Sequence, residues 1–136
     1  MATLPLKEWG SDVTKKILVV DDDVSIADLL TQALYEEGYE VYKTVQSLRF
    51  YDAVREHHPD LILLDLMMPY LDGEDELQLM KLSPETSNIP VIVVTAKPEA
   101  DVRQEEVALR RMGVVNIIYK PFDLNQLVHV VKQTIG

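Results

Sequence analysis

A few residues in this chain have the types and spacing for chemistry. Asp21, Asp22 and Asp23 follow directly on a β-branched run in ILVVDDDVS, and Asp65 is the one polar residue in LILLDLMMP, Leu61 to Pro69. Thr95 comes straight after VIVV, and Lys120 precedes Pro121 in YKPF. An ionised carboxylate is costly to bury without a partner, so Asp65 must end its element or meet a cation. Convergent carboxylates also repel one another and need positive charge to stay ionised. Lys120 is one source of that charge. A metal is the other, and hard oxygen donors with no His or Cys beside them favour Mg2+, which takes one or two carboxylates, sometimes a backbone carbonyl, and keeps several waters.

Whether these groups meet depends on the elements that carry them. ILVV (Ile17 to Val20), EVYKT (Glu40 to Thr44), LILL (Leu61 to Leu64), VIVV (Val91 to Val94) and VNIIY (Val115 to Tyr119) read as strands. Amphipathic stretches separate them. The first carries Ile26, Leu29, Leu30, Ala33 and Leu34 at helical spacing, with Asp23 as a candidate N-cap and Gly38 as a C-terminal stop. The last carries Leu124, Leu127, Val128, Val131 and Ile135 after Asp123, a second N-cap candidate. From Glu99 to Met112 the apolar stripe is weak, but early acids and late Arg110 and Arg111 suit the helix dipole.

Strands alternating with helices, with continuously apolar central strands, imply an α/β fold whose parallel sheet is covered on both faces. Five of each give a doubly wound sheet, for which the common order is 2-1-3-4-5. In that order the strand sequence reverses between the first and third strands, and ligands bind outside the carboxyl ends of the strands at such a reversal. Asp21, Asp22, Asp65, Thr95 and Lys120 all follow strands at that edge. Each alone has a bland reading as a turn former, cap or strand end. Their joint placement is what carries the signal.

Composition narrows the function further. At 136 residues the chain is one ordinary domain, and 47% hydrophobic with 26% charged residues is the balance of a soluble globular protein. The net charge of -10 argues against a nucleic-acid clamp, which needs clustered Lys and Arg. The absence of cysteine excludes disulfides and thiolate metal sites. No apolar run approaches the roughly 20 residues of a membrane span. Residues 1–15 read as a flexible arm with Trp9 its one anchor, residues 16–136 as the domain, and the location as cytoplasmic.

Together, VVDDD, LILLDLMMPYLDG, VIVVTA and YKPF resemble the receiver domain of bacterial two-component response regulators, from about Lys16 to Gly136. The resemblance implies a flavodoxin-like receiver fold that catalyses its own phosphorylation and dephosphorylation rather than turning over a separate substrate. It makes Asp65 the phosphoacceptor, Asp22 a direct Mg2+ ligand, Asp21 an acid acting through metal-bound water, and Met67 a ligand through its backbone carbonyl. It has Thr95 contact the phosphoryl group and Lys120 contact Asp65 or its phosphoryl oxygens. The partners it implies are a sensor histidine kinase or phosphotransfer protein as donor and an output protein or output domain, with no direct nucleic-acid or membrane binding. No output domain follows the fifth helix, so a stand-alone receiver or a piece of a longer regulator is expected.

One position departs from the family pattern. Three residues before the lysine, where an aromatic commonly swings inward on phosphorylation, this chain has Ile117; Tyr119 shares its side by strand alternation. His57, His58 and His129 lack metal-ligand spacing. The rival readings are a haloacid-dehalogenase-type phosphohydrolase, whose nucleophile would lie in Asp21-Asp22-Asp23 but for whose cap the chain has no room, and a receiver-like docking module without chemistry. A P-loop switch is excluded by the missing G-x-x-x-x-G-K-[ST].

Overall fold

The computed structural model describes residues 14–45, 50–68 and 73–136. Residues 1–13 of the expected arm, Trp9 included, and Pro69 of the LILLDLMMP run lie outside the described residues. Strands and helices alternate along the chain: β1 (Lys16–Val20), α1 (Val24–Glu36), β2 (Glu40–Thr44), α2 (Phe50–His57), β3 (Leu61–Leu64), α3 (Gly73–Leu82), β4 (Val91–Thr95), α4 (Glu99–Arg111), β5 (Val114–Tyr119) and α5 (Leu124–Ile135). The sheet is parallel throughout, in the order β2-β1-β3-β4-β5. Both the class and the order agree with the sequence reading.

Strand alternation divides the interior into two apolar layers. Leu18, Val20, Ile62, Leu64, Val91 and Val93 face α2, α3 and α4 through Phe50, Val54, Leu77, Met80, Val102 and Leu109. Ile17, Val19, Leu61, Leu63, Ile92 and Val94 face α1 and α5 through Ala27, Leu30, Leu34, Leu127 and Val131. This division follows from the hand of β-α-β crossovers. The step from β1 to β2 moves one way across the sheet and the later steps move the other, so α1 lies on the face opposite α2, α3 and α4. The same reversal opens a crevice at the carboxyl ends of β1 and β3.

Helix limits follow the expected punctuation. Asp23 accepts a hydrogen bond from the Ile26 amide at 3.2 Å, and Asp123 accepts one from the Gln126 amide at 3.1 Å. Gly38, at φ 98°, ends α1 in the left-handed conformation that a residue with a side chain avoids. The stripe on α1 differs from the expected one. Ala27, Leu30 and Leu34 are buried, whereas Leu29 is 45% exposed, because the strip of α1 that rests on the sheet is narrower than its full apolar face. Three strands are a residue longer than expected, and Thr95 is the last residue of β4 rather than the first after it.

Candidate functional site

The parallel ladder itself delivers the chemical residues to one edge. The Asp21 amide bonds the Thr44 carbonyl at 3.2 Å, the Asp65 amide bonds the Val20 carbonyl at 3.0 Å, and the Lys120 amide bonds the Thr95 carbonyl at 2.8 Å. Each residue therefore continues its strand's pairing by one step and then leaves the sheet. The apolar run around Asp65 is accommodated in this way: Leu61 to Leu64 are buried on both faces, and Asp65 sits at the mouth of β3.

Burial at this edge is deep for polar groups. Asp21 is 2% exposed, Asp65 5% and Thr95 0%. Such groups need full hydrogen bonding, and the two acids share one solution. One oxygen of each accepts a backbone amide two residues on, Asp23 to Asp21 Oδ1 and Met67 to Asp65 Oδ1, both at 2.9 Å. The other oxygen of each accepts from Lys120 Nζ, at 2.7 Å for Asp21 and 3.1 Å for Asp65. Thr95 Oγ1 accepts the Lys97 amide at 3.1 Å.

Burial raises the pKa of Asp21; the hydrogen bonds from Lys120 and the Asp23 amide oppose the shift, and the neighbouring Asp65 charge adds to it. For Lys120, burial alone would lower the pKa, but its bonds to Asp21 and Asp65 outweigh this and raise it. The ammonium is thus held charged between two acids. A third acid, exposed Asp22, joins them: carboxylate oxygens of Asp21, Asp22 and Asp65 lie within 4.8 Å of one another. Three carboxylates facing one ammonium leave an uncompensated negative charge. An all-oxygen donor set with one solvent-facing member fits Mg2+, which keeps part of its water shell.

Asp21, Asp22, Asp65 and Lys120 meet at this edge, Thr95 ends β4 there with its hydroxyl on the Lys97 amide, and the Met67 amide bonds Asp65 while its side chain is 55% exposed. Ile117 and Tyr119 pack together against the α2-α3-α4 layer, as alternation implied, and burial followed by the charges of Glu99 and Glu106 raises the Tyr119 pKa. His57 stacks on Tyr42 with ring centroids 3.9 Å apart, and no histidine joins a metal-ligating group among the described residues. The sequence reading missed the partner of Lys97: its Nζ bonds Glu105 Oε1 of α4 at 2.8 Å. The eight-residue separation leaves the usual helical i, i+4 register, so no sequence rule signals it.

Residues 17–132 match the family model of the response regulator receiver domain. The chain is 37% identical over 121 residues to the sporulation initiation phosphotransferase F of Bacillus subtilis, covering 89% of this chain and 94% of that protein. It is 32% identical over 124 residues to the polar-differentiation response regulator DivK of Brucella ovis, covering 91% and 98%. Among solved structures, the CheY-like receiver domain protein of Methanospirillum hungatei superposes with a TM-score of 0.78 at 28% identity, covering 90% and 94%. A parallel sheet of this order, an acidic crevice at its reversal and these matches lead to one assignment: the chain belongs to the response regulator receiver domains, the modules of two-component signalling that are phosphorylated on aspartate.

Proposed function

We propose that residues 16–136 form a receiver in which Asp65 accepts a phosphoryl group from the phosphohistidine of a sensor kinase or phosphotransfer protein. One observation carries the reading: Asp65 is a buried carboxylate whose Oδ2 meets an ammonium at 3.1 Å and which has an oxygen within 4.8 Å of oxygens of Asp21 and Asp22. A carboxylate oxygen of Asp65 attacks phosphorus, the bond from phosphorus to the donor imidazole nitrogen breaks, and the leaving imidazole takes up a proton from solvent. The product is a mixed anhydride on Asp65.

The chain's own groups do the positioning. The Met67 amide fixes one oxygen of Asp65, so the carboxylate is oriented before the donor arrives. Lys120 offsets negative charge on the transferring group, and Thr95 turns its hydroxyl to a phosphoryl oxygen. Asp21, Asp22, Asp65 and the Met67 carbonyl would hold Mg2+. Bound there, Mg2+ neutralises charge that develops on the phosphoryl oxygens. Return of the phosphoryl group to water is catalysed by the same residues.

Output follows from a population shift between two packings of the face formed by α4, β5 and α5, on which a partner protein or output domain docks. The location is cytoplasmic, and neither nucleic acid nor membrane is bound by this domain. Among the described residues no helix is long and apolar enough to cross a membrane.

Intact-mass measurement after incubation with Mg2+ and acetyl phosphate tests the assignment. One added phosphoryl group, removed by hydroxylamine and absent in Asp65→Asn, is the expected result. Rapid turnover with label on the Asp21-Asp22-Asp23 stretch would instead indicate a hydrolase, and the absence of any adduct a docking module.

A further inference from the structure

Lys97 lies two residues beyond Thr95, in the loop between β4 and α4, and its backbone amide already bonds the Thr95 hydroxyl at 3.1 Å. Its ammonium is turned away to α4, 2.8 Å from Glu105, with the two side chains 27% and 32% exposed. The other α4 ion pairs, Arg103 with Glu99 and Arg110 with Glu106, are internal i, i+4 pairs at 3.4 and 3.3 Å and are well exposed. Among the described residues, Lys97 with Glu105 is therefore the ion pair that ties the loop bearing the crevice to α4.

That helix is otherwise lightly held. It buries only Val102 and Leu109, and its N-cap residue, Pro98, supplies no side-chain hydrogen bond. An element with few apolar anchors takes its position from the polar contacts that remain. Ile117 lies beneath it with neither a ring nor a hydroxyl to relay a change from Thr95.

We propose that Lys97 is a second phosphoryl-binding cation, held in reserve by Glu105, and that its transfer from Glu105 to the phosphoryl group is what releases α4. The inference rests on Asp65 being the acceptor. A phosphoryl group carries more negative charge and more acceptor oxygens than a single carboxylate, so it competes for the ammonium. The four-carbon stem of Lys97 lets the ammonium swing without moving the backbone. When Thr95 turns its hydroxyl to the phosphoryl group, the bond that pins the Lys97 amide is lost as well. Lys97 then loses both of its contacts, to Thr95 and to Glu105, in one event.

The test uses the whole chain with Mg2+ and beryllofluoride as the phosphoryl mimic, comparing wild type, Glu105→Gln, Lys97→Met and the double variant. Glu105→Gln frees the ammonium and should tighten the mimic, whereas Lys97→Met should weaken it, each by about two- to fivefold, the range a half-buried ion pair supports. The double variant should match Lys97→Met, because Glu105 acts only through Lys97. Amide exchange over residues 99–105 should rise in wild type on adding the mimic and be raised already in both single variants without it. A pair with a merely structural role would shift both affinities in the same direction, and that result, or an unchanged Glu105→Gln, overturns the proposal. If wild type does not bind the mimic, or Asp65→Asn binds it equally well, the assignment of Asp65 falls and this inference with it. Binding through Asp65 without the opposed shifts overturns this inference alone. Lys97→Arg, which keeps the charge, should retain near-wild-type affinity and serves as the folding-neutral control.

Discussion

Lys120 and Asp65 leave strands that are not neighbours, β5 and β3, yet Nζ and Oδ2 meet at 3.1 Å across the end of β4. The same ammonium reaches Asp21 at the end of β1, at 2.7 Å, so one side chain bridges much of the width of the crevice. Removing it strands two buried acids. Lys120→Ala should cost about 3 kcal/mol of metal-free stability at neutral pH, the scale of breaking a buried pair. The loss should shrink as pH falls and Asp21, whose pKa burial raises, takes up a proton, and Mg2+ should recover part of it. Urea unfolding at two pH values, with and without Mg2+, measures all three.

Metal should stabilise the folded protein, because the acid cluster exists only when the strand ends are brought together. Mg2+ at about 100 times its dissociation constant should add about 2.7 kcal/mol. Asp22→Ala should remove most of that gain while leaving metal-free stability unchanged or slightly higher, since Asp22 is exposed and its charge adds to the repulsion. Thermal melts across a Mg2+ series read both effects; a metal-free loss in Asp22→Ala would make Asp22 a structural residue.

Asp65→Asn replaces the nucleophile with a neutral amide of the same shape. Phosphorylation by acetyl phosphate should disappear, not slow, because an amide oxygen is a poor nucleophile. Lys120→Ala and Asp22→Ala should instead leave slow, measurable formation of the adduct, about 100-fold or more below wild type, as expected when charge stabilisation is lost but the nucleophile is kept. Intact mass against time separates the two classes.

The alkaline limit of stability should report Tyr39. Burial, followed by the opposing charge of Lys132 and the reinforcing charge of Glu37, raises its pKa above the ordinary 10.0. A phenol whose folded value is raised contributes stability that is fully present below pH 10.0 and is lost as pH rises through the folded value. Tyr39→Phe should therefore flatten the decline above pH 10 and change neutral stability little. Phenolate absorbance together with unfolding midpoints checks it, and an alkaline limb unaffected by the substitution would assign the decline to other groups.

Asp123, three residues beyond Lys120, caps α5 through the Gln126 amide and makes no hydrogen bond to the acids of the crevice among the described residues. Asp123→Ala should cost about 1 kcal/mol and leave the rate of phosphorylation at Asp65 unchanged. Paired denaturation and phosphorylation assays would show whether that helix start is purely structural.

Much of this molecule follows from local pattern. Strand runs such as LILL and VIVV can be buried on both faces only in a parallel sheet with helices on each side, and the caps at Asp23 and Asp123 are set by side-chain chemistry within three residues. Asp21, Asp65, Thr95 and Lys120 could be placed at one edge because each directly follows, or ends, a strand whose direction the alternating pattern dictates. What the pattern could not supply is which oxygen meets which proton. That Lys120 divides itself between Asp21 and Asp65, that Leu29 faces solvent while Ala27 is sealed, and that Lys97 reaches across to Glu105 depend on the twist of the sheet and the seating of helices against it. Those are set by the packing of residues far apart in the chain, where sequence spacing carries no distance information.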